Sequence, residues 1–253
     1  MTGKEIIGYI NEGANFYVSL FGKAEHMNCV EKENYSYILP KDGEKGITFV
    51  YDVNIDNLSE SKKHEIINEI KSLNMPVWWD LRSVKSLYKT LYGVEKVIGT
   101  INDEELYMAI LPGEEILYKN ESSGVIVKKV NNKELFELWT NHVNNILHNG
   151  YPDIHPEYHY NLCKDGLMDC YLFFYNDILV SSSTVMNNSG IASLEFVTTK
   201  PEYLKRGFAK YICSHAISES FSKDIKIITL RGITFEANEL YKKLGFRIYN
   251  QMM

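Results

Sequence analysis

The 253-residue sequence predicts a mixed α/β protein, and three observations carry that prediction. Runs rich in β-branched and aromatic residues alternate with segments whose apolar residues recur at helical spacing. In the second half, three strand-like runs follow one another through short Asn, Asp and Gly turns before helices resume. That order implies an antiparallel start and a later parallel crossover. Finally, Leu87-Tyr88-Lys89-Thr90-Leu91 and Leu240-Tyr241-Lys242-Lys243-Leu244 share four of five residues, and each closes a helical segment that ends in glycine. The two halves thus echo each other in element order, as a duplication would.

The elements follow in turn. Thr2 and Glu5 stand at capping-box spacing ahead of Ile6, Ile7, Ile10, Phe16, Tyr17 and Leu20, so a helix opens the chain. "NYSYIL" and "GITFVYDV" read as a hairpin around Lys41-Asp42-Gly43. Ile66, Ile67, Ile70 and Leu73 keep helical spacing. "PVWWDL" is a short strand, "SVKSLYKTLYG" a helix, "VEKVIGTI" a strand and "DEELYMAIL" a short apolar segment. "KNESSG", Lys119 to Gly124, has the composition of a linker, which places two domains at 1–120 and 121–253. The second opens with the strand "VIVKKV" and a helix carrying Leu135, Leu138, Trp139, Val143 and Leu147. An aromatic-rich connection ending in "YHYNL" leads to the strands "CYLFFYND", "ILVSSSTVMN" and "IASLEFVTT". A helix from Arg206 to about Phe221, the strand "IKIITL", the helix "FEANELYKKLG" and the strand "FRIYNQM" complete the chain.

Composition narrows the functions. Apolar residues at 45% and charged residues at 24% are those of an ordinary globular protein. A formal charge of −6 argues against a nucleic-acid partner, because phosphate binding needs a basic face. No apolar run approaches the roughly 20 residues that span a bilayer, and the first residues lack a basic and apolar leader, so a cytoplasmic protein without a membrane partner is expected. Cys29, Cys163, Cys170 and Cys213 are scattered, so reduced thiols are expected rather than a zinc site. His155 and His159 have metal-ligand spacing, but Pro156 interrupts them and no third ligand is evident, so no metal is expected.

Chemistry concentrates in "VTTKPEYLKRGFAKYI", Val197 to Ile212. A strand passing through Pro201 to a glycine at a helix start leaves backbone N–H groups pointing outward. The helix dipole, with Lys205, Arg206 and Lys210, suits that place to a pyrophosphate. Gly207 lets the backbone approach the oxygens and Ala209 keeps the next turn clear. One strand and one helix downstream stands "ANELYKKLGF". Together with "ASLEFVTT", these stretches resemble the GCN5-related N-acetyltransferase (GNAT) superfamily. Leu204, Lys205, Arg206, Gly207, Phe208 and Ala209 occupy the six positions of its pyrophosphate-binding motif, with Leu204 where the family prefers Arg or Gln. Ala237, Asn238, Leu240, Tyr241, Gly245 and Phe246 match its later motif.

The resemblance implies a GNAT fold, two such domains in tandem with a degenerate first copy, and one cofactor site. It implies an N-acetyltransferase that moves the acetyl group of acetyl-CoA to a primary amine of a small molecule, amino acid or peptide by direct attack. A non-catalytic acyl-CoA sensor or scaffold is the alternative. By offset from the glycine loop, Val197, Thr198 and Thr199 fall where the family's splayed strand offers main-chain groups to pantetheine and thioester. Tyr241 aligns with the tyrosine beside the sulfur, Asn238 with a cofactor contact, and Glu195 is the one acid of its strand and the candidate base. Trp139, His155, Tyr158, His159 and Tyr160 fall on the acceptor side. A monomer or homodimer is expected.

Overall fold

The computed structural model describes residues 1–41, 48–55, 57–79, 106–118, 123–147 and 154–249. They fall into two compact units, one within 18–103 and one formed by 1–17 with 104–253. The helix and strand expected at 83–101 lie outside the described residues, and so does the Leu87 to Leu91 half of the internal echo.

Helix α1 (Gly3–Gly22) starts at the capping box that its sequence predicts. Glu5 N–H donates to Thr2 Oγ1 at 3.3 Å, and Thr2 N–H donates to Glu5 Oε2 at 2.6 Å. Within 18–103, β1 (Met27–Glu31), β2 (Ser36–Pro40), β3 (Thr48–Tyr51) and β4 (Val77–Trp79) form a sheet in that order. No alternation announces β1, because all of its residues are at least partly exposed. Strands β1 to β3 are antiparallel, whereas β4 lies parallel to β3 after the crossover helix α2 (Glu60–Ser72). Ile66, Ile67 and Ile70 bury the apolar stripe of α2 in a core with Tyr35, Val50 and Ile55.

The larger sheet contains β5 (Leu106–Ile110), β6 (Val125–Lys129), β7 (Met168–Tyr175), β8 (Ile178–Asn188), β9 (Ile191–Thr199), β10 (Ile227–Gly232) and β11 (Arg247–Ile248). Their spatial order is β11-β5-β10-β9-β8-β7-β6. The run β6 to β9 is antiparallel, and β9 to β10 is a parallel crossover through α5 (Phe208–Phe221). Strand β5 fills the place between β10 and β11, antiparallel to both. The sheet therefore draws on a strand that precedes the linker composition of 119–124.

Alternation assigns the two faces. Met108, Ile110, Ile228 and Leu230 join a core with Ile212, Ala216, Tyr241 and Leu244, which come from α5 and from α6 (Phe235–Lys243) with its C-cap. Tyr107, Ala109, Ile191 and Ile227 instead meet Ile6 and Ile10 of α1. Helix α1 crosses so close that a Cβ on Gly13 would stand 2.8 Å from Thr229 Oγ1. Helices α3 (Lys133–Leu147) and α4 (Pro156–Lys164) connect β6 to β7. The aromatic connection is a helix after all, because Pro156 occupies its first turn, where a missing N–H costs nothing.

Candidate active site

The chain leaves β9 through a short 3₁₀ turn (Pro201–Tyr203) and enters α5 by way of Lys205 and Gly207, both at positive φ, 60° and 81°. Left-handed residues in so short a span curl successive N–H groups toward one concavity, the kind of nest that holds anions. Gly207 is the N-cap of α5, and no side chain caps that helix. Its first amides therefore face outward with the positive end of the dipole. Among the described residues nothing lies within 4 Å of where a Cβ on Gly207 would stand. Leu204 is 55% exposed. The Arg206 guanidinium lies over the Tyr203 ring at 5.1 Å, and Lys210 Nζ over Tyr118 at 3.7 Å. Phe208 anchors the turn from below, its ring 5.0 Å from Phe173 and 5.2 Å from Tyr175.

Beside this cradle the sheet opens. Parallel pairing of β9 with β10 ends at Ser193 and Thr229, although β9 runs on to Thr199 and β10 to Gly232. On its other edge β9 carries a bulge: Ser182 pairs with Thr198 but Thr184 with Glu195, so Phe196 and Val197 together oppose Ser183. Phe196 takes a positive φ of 48°, which costs an aromatic residue about 1–2 kcal/mol. Its ring is held edge-on by Tyr17 and Trp139, each with centroids 5.6 Å away. Thr198 is buried and turned to β8, where its hydroxyl meets Ser182 Oγ at 2.6 Å. Val197 and Thr199 remain half-buried.

Helix α6 follows β10 and packs against it. Thr234 caps it by accepting from Ala237 N–H at 3.2 Å. Tyr241 is 8% exposed and packs edge-on against Phe246. Burial pushes its phenol well above the usual tyrosine range, with smaller contributions from Cys213 and from Glu195. Glu195, half-buried on β9, thus lies within electrostatic reach of Tyr241. Asn238 is buried and fills the space that a side chain at Gly232 would need: a Cβ there would stand 1.9 Å from Asn238 Oδ1.

Residues 135–246 match the family model of the acetyltransferase (GNAT) family. Residues 135–246 are a GNAT domain. The fold of the chain is similar to that of a GCN5-related N-acetyltransferase from Kribbella flavida, with a TM-score of 0.63 at 14% identity over 94% of this chain and 91% of that one. A GCN5-related N-acetyltransferase from Sphaerobacter thermophilus gives 0.59 at 13% identity over 85% and 78%. A GCN5-related N-acetyltransferase-like protein from Streptococcus suis gives 0.51 at 13% over 94% and 96%. No curated protein matches the sequence. At these identities the likeness is one of fold, and it extends beyond the GNAT domain to the N-terminal part.

The residues expected on the acceptor side of the GNAT domain serve first as packing. Trp139 is fully buried, its indole N–H without a hydrogen-bond partner among the described residues. His159 is 2% exposed and accepts the His155 N–H at its Nδ1, 2.9 Å away. Its ring proton therefore sits on Nε2, and the pair shapes the start of α4. Tyr160 packs against Phe136. His142, also on α3, is 6% exposed, and burial with a smaller push from Lys200 lowers its pKa to about 4.

Three parts of the site have little sequence signal. Phe196 looks like any strand aromatic, and Gly232 like a strand end. Ser181, Ser182, Ser183 and Thr184 do form an unusual hydroxyl run in an apolar strand, all four fully buried, and that run was the clue available. A separate cavity of 570 Å³, lined by Lys129, Cys163, Asp169, Asn187 and Lys223 among others, lies at the far end of β7 and β8 from the cradle. Its charges pair among themselves, with both lysines on Asp169.

Proposed function

We propose that the chain is an acetyl-CoA-dependent N-acetyltransferase that acetylates a primary amine of a small molecule, amino acid or peptide. The observation that carries this reading is the opening between β9 and β10 directly beside an uncapped helix start. A pyrophosphate fits the start, and an extended pantetheine fits an edge of unpaired strand. Lys205, Arg206, Gly207, Phe208 and Ala209 hold the phosphates with main-chain amides, aided by the charges of Lys205, Arg206 and Lys210. Val197, Thr198 and Thr199 line the pantetheine arm, and Asn238 contacts it from α6.

Transfer then proceeds by direct attack in a ternary complex. A main-chain N–H of β9 donates a hydrogen bond to the thioester oxygen as negative charge grows on it. The amine loses a proton to Glu195, directly or through water, and forms the new C–N bond. The C–S bond breaks, and Tyr241 donates its phenolic proton to the departing thiolate. Its raised pKa suits a donor, since it stays protonated throughout the neutral range. The exposed Leu204, standing where the family prefers a polar side chain, favours the alternative of an acyl-CoA sensor.

Calorimetric titration with acetyl-CoA, CoA and ATP, paired with an amine screen by free-thiol release, tests the proposal. Micromolar binding of the CoA species over ATP, with thiol release on an amine, is the expected result. Binding without release on any amine favours the sensor, and no binding removes both readings. Gly207→Glu, which sets a carboxylate in the cradle, should lower CoA affinity at least a hundredfold.

A further inference from the structure

We infer that Ser181 and Ser182 are positioning residues that aim the amides of Val197 and Thr199 into the gap between β9 and β10. The inference rests on the acetyltransferase reading for its chemistry and on β8 for its geometry. Both serines are fully buried in the middle of a sheet, where an apolar β-branched residue would be the ordinary occupant. A buried hydroxyl is costly unless bonded, and both are spent on the bulge of β9. Ser182 Oγ lies 3.3 Å from Phe196 O and 2.6 Å from Thr198 Oγ1. Ser181 Oγ donates to Thr198 O and lies 3.0 Å from Thr199 Oγ1.

One proton assignment satisfies every hydroxyl. Ser182 donates to Phe196 O while Thr198 Oγ1 donates to Ser182 Oγ. Ser181 Oγ and Thr199 Oγ1, the latter at 2.9 Å, both donate to Thr198 O. The carbonyls of Phe196 and Thr198 are thereby both held toward β8. Each shares a peptide plane with the next amide, and in a trans peptide the N–H points opposite the C=O. The N–H groups of Val197 and Thr199 consequently face away from β8, toward the side where β10 has separated. The next residue fits the same alternation, since Lys200 N–H turns back to Val180 O at 2.9 Å. Without the serines the bulge keeps its extra residue but loses the bonds that fix two peptide planes, and Phe196 keeps a strained φ with less to hold it.

Calorimetry with two probes separates positioning from general damage. Acetyl-CoA spans cradle and gap, whereas adenosine 3′,5′-bisphosphate carries no pantetheine. Ser181→Ala and Ser182→Ala should each weaken acetyl-CoA about tenfold, leave the bisphosphate within twofold, and lower kcat more than the cradle variants do. Ser182→Thr, which restores the hydroxyl, should recover most of the loss. Equal losses for both probes would assign the serines a merely structural role, and unchanged acetyl-CoA affinity would overturn the inference. Should the wild-type chain bind neither probe, the acetyltransferase reading fails on its own. The serine geometry is then judged by amide exchange: Ser182→Ala must speed exchange at Thr198 and Lys200 at least tenfold with global stability held, or it too is rejected.

Discussion

Tyr241 and His142 show how burial, more than any neighbouring charge, sets the chemistry of single residues. Desolvation disfavours the charged form of each, which raises a phenol and lowers an imidazole. Tyr241 consequently stays protonated at every physiological pH. Tyr241→Phe should cut turnover tenfold to a thousandfold while acetyl-CoA affinity stays within threefold, read by thiol release and calorimetry. His142 gives a stability prediction whose sign is fixed. Its folded pKa of about 4 lies below the ordinary 6.5, so between those values the unfolded chain binds more protons. Stability is complete above pH 6.5 and is lost as the pH falls toward 4. Urea unfolding at pH 7 and pH 5 should differ by roughly 2 kcal/mol from this residue, a difference that His142→Gln removes.

At the scale of elements, the contrast between two helix starts explains why one cofactor site is expected. Both α2 and α5 follow a strand and lead to a parallel neighbour. In α2 the Ser59 hydroxyl accepts from Lys62 N–H at 3.3 Å, and Glu60 puts a negative charge in the first turn. The anion site of α2 is filled by the chain itself. In α5 no side chain does this, and the first turn carries no acid. Gly232 matters in a similar way, because it lets α6 approach β10. Gly232→Ala should drive Asn238 from its place, lowering the melting temperature by several degrees and acetyl-CoA affinity about tenfold. Such elements differ in how plainly the sequence writes them. Capping residues, turn glycines and alternating strands are local patterns, so α1, α5, α6 and the strands β7 to β10 are legible. The bulge at Phe196 is not, since it depends on which residues β8 places opposite. Helix α4 is obscured by a proline that breaks helices in their interior but starts this one.

For the whole molecule, the placement of β5 decides what can fold alone. Linker composition suggests cutting near residue 120, and a fragment 121–253 would contain the entire pyrophosphate motif, Glu195 and Tyr241. It would lack β5, which pairs with β10 over Leu106 to Ile110 and carries β11 on its other edge. Removing it strips Met108 and Ile110 from the core beneath α5 and α6, and leaves the edge of β10 as a template for aggregation. It would also lack α1, whose Ile6 and Ile10 cover the opposite face and whose Tyr17 braces Phe196. Fragment 121–253 should therefore show no cooperative thermal transition and no acetyl-CoA binding, whereas the full chain shows both. A fragment 104–253 regains the sheet but not the face that α1 covers, and adding residues 1–17 back as a peptide should raise its stability and acetyl-CoA affinity. If 121–253 instead melts cooperatively and binds, the motif region holds its own sheet closed, and the pairing of β5 is an addition to a domain that does not need it.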